Sequence, residues 1–197
     1  VETSIIIPVY NSEKNLAKLI QDIIFNLKKK THIFEIILVD DNSEDRSWNI
    51  IKDFCFKNTF IKAVQLRKNV GQHNAIFAGL KYAIGKFIVT MDDDGQNSPN
   101  DIEKLIDKVK SGSDVSYANY KIKYHHLFRR FGSFLNNIVA SFLFSKPVDL
   151  ILTSFRCFNQ DIKKEILKTR SSSIYIDGII FSITKNVSNV YVEHKKR

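Results

Sequence analysis

The first half of the chain alternates short strand-like runs with segments of helix length, and this alternation limits the fold more than any other feature. The runs are Ser4 to Val9, Glu35 to Val39, Lys62 to Leu66 and the one that ends in Phe87-Ile88-Val89. An apolar run without polar alternation has no face to give to water, so helices must cover it on both sides; such helices also carry the chain across to a parallel neighbour. Between the runs, Leu16, Leu19, Ile20, Ile23, Ile24 and Leu27 follow the i, i+3, i+4, i+7 spacing of an amphipathic helix. Tyr10-Asn11-Ser12 before it supplies a turn and an N-cap. Trp48, Ile51 and Cys55 mark one face of a second helix, and Gly71 to Ile84 form a third, closed by Gly85 as a helix-ending residue. Ser98-Pro99 opens a fourth that carries Ile102, Leu105, Ile106 and Val109 and stops at Ser111-Gly112. The predicted class is α/β, with a mostly parallel central sheet and helices on both faces.

After Asp114 the pattern changes. Val115 to Tyr120 reads as a strand, and the basic, aromatic stretch Lys121 to Phe144 as mostly helical but without a tidy apolar stripe. Asp149 to Phe158 reads as extended, Gln160 to Lys168 as helix and Val190 to Glu193 as a last strand. A chain of 197 residues can bury one good core, so 1–112 and 113–197 are expected to be two halves of a single domain. Seven Gly and three Pro beside 44% apolar residues exclude disordered and fibrous classes. Cys55 and Cys157 suggest neither a disulfide framework nor a zinc site, which fits a reducing cytosol. A net charge of +9, from 30 Lys and Arg against 21 Asp and Glu, favours anionic partners: nucleotides, nucleic acid or an acidic membrane face. No apolar stretch approaches the roughly 20 residues needed to span a bilayer. The chain opens on Val1 with its only methionine at Met91, so part of the natural protein is expected to lie outside it.

The chemistry centres on Thr90-Met91-Asp92-Asp93-Asp94-Gly95-Gln96, a burst of acids directly after a buried strand. Residues two apart on extended backbone project to one side, so Asp92 and Asp94 can face one ion, with Gln96 on the same side and Asp93 pointing elsewhere. Oxygen ligands of this kind suit Mg²⁺ or Mn²⁺, which keep positions for substrate phosphates. The alternative is a solvated acidic turn before the next helix. Asp40 and Asp41 end the second run; in a parallel sheet both acid sets share the carboxyl edge, where open α/β folds bind ligands. A nucleotide would then have its base near the first set and its diphosphate, through a metal, near the second. The competing reading of Asp40-Asp41 is capping of the following helix, with Ser43 as N-cap.

Four motifs, Ile7-Pro8-Val9-Tyr10-Asn11, Val39-Asp40-Asp41-Asn42-Ser43, Arg67-Lys68-Asn69-Val70-Gly71-Gln72-His73 with Ala78-Gly79, and Met91 through Asn97, together resemble the inverting GT-A glycosyltransferases of family 2. Within that family the chain is most similar to the polyprenyl-phosphate sugar transferases, the group of dolichol-phosphate mannosyltransferase and undecaprenyl-phosphate aminoarabinose transferase. The resemblance implies that Pro8, Tyr10 and Asp40 or Asp41 cradle base and ribose, with Asn11, Ser43, Gly71 and Asp93 in the same donor-binding motifs. It implies that Asp92, Asp94 and Gln96 bind Mn²⁺ or Mg²⁺ on the donor diphosphate. Family members often carry Glu directly after the first motif's Asn; here Ser12 and then Glu13 follow, and either meets the nucleotide. Tyr124 to Ser133 resembles the acceptor helix, whose arginine and serine, here Arg129 or Arg130 and Ser133, hold the lipid phosphate. Arginine suits that task because it pairs with phosphate bidentately. Ser154-Phe155-Arg156 resembles a motif beside the site, and His194 to Arg197 the start of a motif whose arginine, here Arg197, meets the diphosphate. The segments that follow in the family, membrane-associated helices among them, would lie beyond residue 197, or else membrane contact here is peripheral.

The implied reaction is attack by a lipid phosphate on the anomeric carbon of a nucleotide sugar, with Asp94, Arg129, Ser133, Arg156 and Arg197 as the catalytic set. A UDP-sugar is the preferred donor, with GDP- and dTDP-sugars as alternatives. A phosphate nucleophile is already ionised at neutral pH, so no general base is required. A second reading keeps the fold but gives it a glycan hydroxyl acceptor, as in capsule, O-antigen or lipopolysaccharide assembly. That acceptor needs a carboxylate base, for which Asp177 is the candidate. A third is a non-enzymatic anion-binding module, supported only by the charge and lacking any RNA-binding motif. His73 and His194 have no ligand-like spacing and read as hydrogen-bonding or packing residues. The expected setting is the cytoplasmic face of the inner membrane, with a nucleotide sugar and a lipid phosphate as partners, no nucleic acid, and a homo-oligomer as the family-level expectation.

Overall fold

Strands β1 (Thr3–Val9) and β2 (Phe34–Asp40) are buried at every position in the computed structural model, which describes residues 1–29, 33–120, 150–171 and 174–193. Successive side chains go to opposite faces of the sheet: Ile5, Ile7 and Val9 enter one core, Ile6 the other, and β2 divides its residues in the same way. Both faces are therefore apolar, and both are covered. Helices α1 (Leu16–Lys29), α2 (Ser47–Lys57) and α4 (Ile102–Lys110) pack on the first face. Helices α3 (Gln72–Leu80), α5 (Gln160–Leu167) and α6 (Ile176–Ile183) pack on the second.

With β3 (Ile61–Gln65), β4 (Phe87–Thr90), β5 (Val115–Tyr120), β6 (Arg156–Asn159) and β7 (Val187–Val192), the strand order is β3-β2-β1-β4-β6-β5-β7. All neighbours are parallel except β6, which runs against both β4 and β5. Val9 pairs with Asp40, and Ile6 with Thr90, so β1, β2 and β4 all end at one edge. Because β6 is reversed, its first residue, Arg156, pairs with the last of β4, Thr90. The residues just before β6 thereby arrive beside the residues just after β4.

Four details differ from the sequence reading. Helix α3 ends at Leu80, and Gly85 is not its cap but a point of contact: a Cβ there would lie 2.6 Å from the Ser4 amide nitrogen. The stretch Ile176–Ile183 is a helix that apolar periodicity did not disclose, since Ile-Asp-Gly-Ile-Ile-Phe-Ser-Ile is apolar nearly all round and reads equally as a strand. Strand β7 starts at Val187, three residues earlier than its apolar end suggests, because Val187 pairs with Val115. Of the stretch read as extended, only Arg156–Asn159 joins the sheet, and Asp149 lies outside the described residues. The stretch Lys121 to Phe144 also lies outside them.

Candidate active site

The acid turn follows β4 directly and opens into a cleft of about 260 Å³ lined by Pro8, Gln72, Asp92, Asp93 and Asp94. Pro8 belongs to β1 and Gln72 begins α3, so three elements meet at the carboxyl edge of the sheet. Asp92 is held at both oxygens: the Gln72 side-chain amide donates to Oδ1 and the Ser154 hydroxyl to Oδ2. The Ser154 carbonyl in turn accepts the Thr90 hydroxyl at 2.6 Å. Asp94 accepts the Gln96 amide at 3.0 Å, and Gly95 between them takes φ +74°, a left-handed conformation that suits glycine. Gln96 is thereby folded back within the same turn.

Asp93 has different partners. Its Oδ2 accepts the Tyr10 amide at 3.0 Å and the Ser12 hydroxyl, which fastens the acid turn to the loop after β1. That loop is itself laced to the loop after β2. Ser43 Oγ accepts the Asn11 amide at 3.0 Å, Asn11 Oδ1 accepts the Glu44 amide at 2.8 Å, and Glu13 accepts the Arg46 amide at 3.0 Å. Ser43 does not cap α2, whose N-cap position is Arg46 without a side-chain bond; Asp45, one residue earlier, accepts the Ser47 amide at 2.9 Å and the Glu13 amide at 3.0 Å. Tyr10 stands 47% exposed above this lacework.

Asp40 and Asp41 are both buried. Asp41 accepts the Val70 and Gly71 amides, each at 2.8 Å, and so anchors the loop that leads into α3. Asp40 accepts the Ser43 amide and the Gln65 side chain, each at 3.3 Å. These acids shape the edge and expose little carboxylate to the cleft.

The electrostatics of the acid turn suit a hard divalent ion. Burial pushes the Asp92 carboxyl above its ordinary value, the Ser154 hydroxyl pulls against this, and the charge of Asp94 adds to the rise. Burial likewise raises Asp93, against the bonds from Ser12 and Tyr10. Tyr120, at the end of β5, is pushed upward by its burial and by the charges of Asp92, Asp94 and Asp101. Burial is the largest cause of each rise and neighbouring carboxylate charge a smaller one, and a bound cation would offset both. Among the described residues no three His, Cys, Asp or Glu side chains form a cage. One or two carboxylates with open positions for phosphate is the arrangement Mg²⁺ and similar ions take in nucleotide sites.

The model of the family described as "Glycosyl transferase family 2" matches residues 4–174. The chain belongs to glycosyl transferase family 2. An undecaprenyl-phosphate 4-deoxy-4-formamido-L-arabinose transferase of Pseudomonas fluorescens is 32% identical over 199 aligned residues, covering 98% of this chain and 58% of the relative. One of the same description from Pectobacterium atrosepticum is 31% identical, covering 98% and 60%. The chain thus spans about three fifths of the length of these relatives. Among solved structures, glucosyl-3-phosphoglycerate synthase from Mycobacterium tuberculosis in complex with Mn²⁺, UDP and phosphoglyceric acid aligns with a TM-score of 0.74. It is 13% identical over all of this chain and 71% of that one. TarS residues 1–349 of Staphylococcus aureus, in complex with UDP-GlcNAc, align with a TM-score of 0.64 and 20% identity, over all of this chain and 60% of that one. These likenesses show a shared fold, the GT-A architecture that the family resemblance implies.

In this family 2 chain the later half contributes a buried cluster around Arg156. Arg156 is 1% exposed; its guanidinium pairs with the Asp177 carboxylate, which also accepts the Tyr117 hydroxyl at 2.8 Å. The Arg156 guanidinium lies 5.9 Å from the centre of the Tyr117 ring, and its Nε finds no partner among the described residues. His73 accepts the Ile176 amide at Nδ1, 3.4 Å away, and meets the Tyr175 ring edge-on at 5.2 Å. Burial, and then the charge of Arg156, lower its pKa, which keeps the ring neutral and able to accept. Gln72, Ser154 and Tyr117 are given no site role by the sequence reading, and Ser12, named there as an alternative to Glu13 for the nucleotide, instead holds Asp93. Gln72 and Ser154 lie within motifs that the sequence displays, whereas nothing in the sequence singles out Tyr117. Arg129, Arg130, Ser133 and Arg197, with His125, His126 and His194, lie outside the described residues.

Proposed function

We propose that this chain carries the donor site, and part of the acceptor site, of an inverting glycosyltransferase that moves a sugar from a nucleotide sugar to a polyprenyl phosphate such as undecaprenyl phosphate. The observation that carries the reading is the pair Asp92 and Asp94 lining one cleft with Pro8, at the sheet edge where the loops after β1 and β2 also end. The names of the relatives supply the acceptor class. The complexes of the structural neighbours with UDP and with UDP-GlcNAc favour a uridine nucleotide.

Tyr10 offers an exposed surface for base and ribose beside a cleft that Pro8 lines, and Asp40, Asp41, Asn11, Glu13, Ser43 and Gly71 hold the loops that frame it. Asp92, Asp94 and Gln96 would hold Mn²⁺ or Mg²⁺, which when bound neutralises charge on the nucleoside diphosphate. In the reaction a phosphate oxygen of the lipid attacks the anomeric carbon from the face opposite the diphosphate. The bond from that carbon to the diphosphate oxygen breaks with its electron pair, and configuration inverts. No proton needs to leave the nucleophile. Arg129, Arg130 and Ser133 are assigned to the lipid phosphate, and Arg197 to the diphosphate.

The structure bears on the competing acceptor through Asp177. A general base must reach the hydroxyl it deprotonates; Asp177 is 7% exposed, and its carboxylate already accepts from Arg156 and Tyr117. That favours the phosphate acceptor over a glycan hydroxyl. Among the described residues no helix is long and apolar enough to cross a membrane. We place the reaction at the cytoplasmic face, where a soluble donor meets a lipid acceptor, and we assign a homo-oligomer as the working assembly.

The test is transfer of labelled sugar by the full-length protein, with UDP-sugars and Mn²⁺, to undecaprenyl phosphate or to an oligosaccharide. Label in the lipid extract, still measurable in Asp177→Asn, is the expected result. Label on the oligosaccharide alone, abolished in Asp177→Asn, would overturn the reading.

A further inference from the structure

We propose that the first turn of α6 positions the Asp92 carboxylate through two converging chains of contacts, which makes His73, Arg156 and Asp177 positioning residues for the ion. The inference rests on the reading of Asp92 as a metal ligand and deepens it.

The first chain starts at Asp177. Its carboxylate holds the Arg156 guanidinium and the Tyr117 hydroxyl, which fixes the first residue of β6. Two residues earlier, Ser154 donates to Asp92 Oδ2, and its carbonyl is pinned by Thr90. The second chain starts one residue before Asp177. The Ile176 amide donates to His73, whose neighbour Gln72 donates to Asp92 Oδ1. Both oxygens of one carboxylate are therefore oriented by residues one or two positions from side chains that the same helical turn holds. Each carboxylate oxygen has two lone-pair sites, so one accepted hydrogen bond still leaves a site for an ion.

The energetics separate positioning from plain stabilisation. A buried ion pair commonly gives no more stability than well-packed apolar residues of the same volume, because desolvation offsets the attraction. Arg156 and Asp177 are both buried, and both meet Tyr117 of the second core. What the pair adds that apolar packing would not is a fixed direction for the backbone that delivers Ser154. The helix that supplies it belongs to the half that the sequence assigns to the acceptor, while Asp92 belongs to the half assigned to the donor. A contact made by the acceptor side thus reaches the donor's metal ligand.

The experiment is a titration of the full-length protein with Mn²⁺ in the presence of UDP, read from the electron paramagnetic resonance signal of the free ion, with melting temperature measured in parallel. Asp177→Asn and His73→Ala are each expected to weaken Mn²⁺ binding by about threefold to tenfold, less than the roughly 10–100-fold that follows loss of a group bonded directly to a metal ligand. His73→Gln, which restores an acceptor for the Ile176 amide, should recover part of the loss. Unchanged Mn²⁺ affinity in His73→Ala and in folded Asp177→Asn, whatever the melting temperatures, would overturn the proposal. If Asp177→Asn does not fold, His73→Ala and its Gln rescue decide it alone. Failure of the wild-type protein to bind Mn²⁺ would instead overturn the metal reading itself, and this proposal with it.

Discussion

Gly85 shows what one absent methyl group does in this protein. A Cβ at that position would lie 2.6 Å from the Ser4 nitrogen and 2.8 Å from the Thr3 carbonyl carbon, both backbone atoms that cannot swing aside. Overpacking typically costs about 1–3 kcal/mol, and rigid neighbours place Gly85→Ala toward the top of that range. The expected result is a fall in melting temperature of about 4–12 °C, using the roughly 2–4 °C per kcal/mol of a domain this size; a shift under 1 °C would mean that β1 yields. From the sequence, Gly85 reads as a helix end, because glycine punctuates helices and tight approaches alike and only the third dimension separates them. The acid turn was legible for the opposite reason. The clustering of three acids directly after a buried strand places them at the sheet edge, but alternation does not sort them: Asp93 lines the same cleft as Asp92 and Asp94, although it alone accepts the Tyr10 amide and Ser12 hydroxyl. The burial of Asp40 and Asp41 was not legible, since charge in a sequence says nothing of which backbone amides will claim it.

At the scale of elements, the four strands of the first half and the helices between them follow from hydrophobic patterning alone. The reversal of β6 and the short helix α6 do not. β6 is four residues long, and α6 is apolar on nearly every side, so neither carries a period that distinguishes its alternatives. What locks the elements at the far edge of the sheet is Glu35, 2% exposed near the start of β2. It accepts the Ser4 hydroxyl at 2.5 Å and the Ile84 amide at 2.8 Å, and pairs with Lys62 at 2.6 Å. Burial raises its pKa, but the Ile84 amide, Lys62 and Ser4 together outweigh that, and the carboxyl sits below its ordinary value. A group with a depressed folded-state pKa stabilises the protein above its unfolded value, about 4.3 for glutamate, and loses that contribution as pH falls through the lower folded value. Glu35→Gln is therefore expected to lower the denaturant midpoint at pH 7 and to approach wild type as pH drops below about 4.3. A deficit that stays constant across that range would show that the charge of Glu35 contributes nothing.

At the scale of the molecule, a chain of net charge +9 gathers Asp92, Asp93 and Asp94 at one end of its sheet, with Asp40 and Asp41 behind them. Folding against the overall charge in this way leaves a concentrated negative site in a field that attracts anions, which suits a metal ion arriving together with a nucleoside diphosphate. The family 2 fold places those acids where its two central loops converge, and the sequence motifs are the loops themselves. The central claim is that the acid turn binds a nucleoside diphosphate only together with a divalent ion. The most direct test is the melting temperature of the protein with UDP, in Mn²⁺ and in chelator, for wild type and Asp94→Ala. At a hundred times the dissociation constant, a ligand stabilises by about 2.7 kcal/mol, or roughly 5–10 °C for a domain of this size. The account predicts that shift for wild type in Mn²⁺, its loss in chelator and its loss in Asp94→Ala. An equal shift in chelator, or in Asp94→Ala with Mn²⁺, would contradict it.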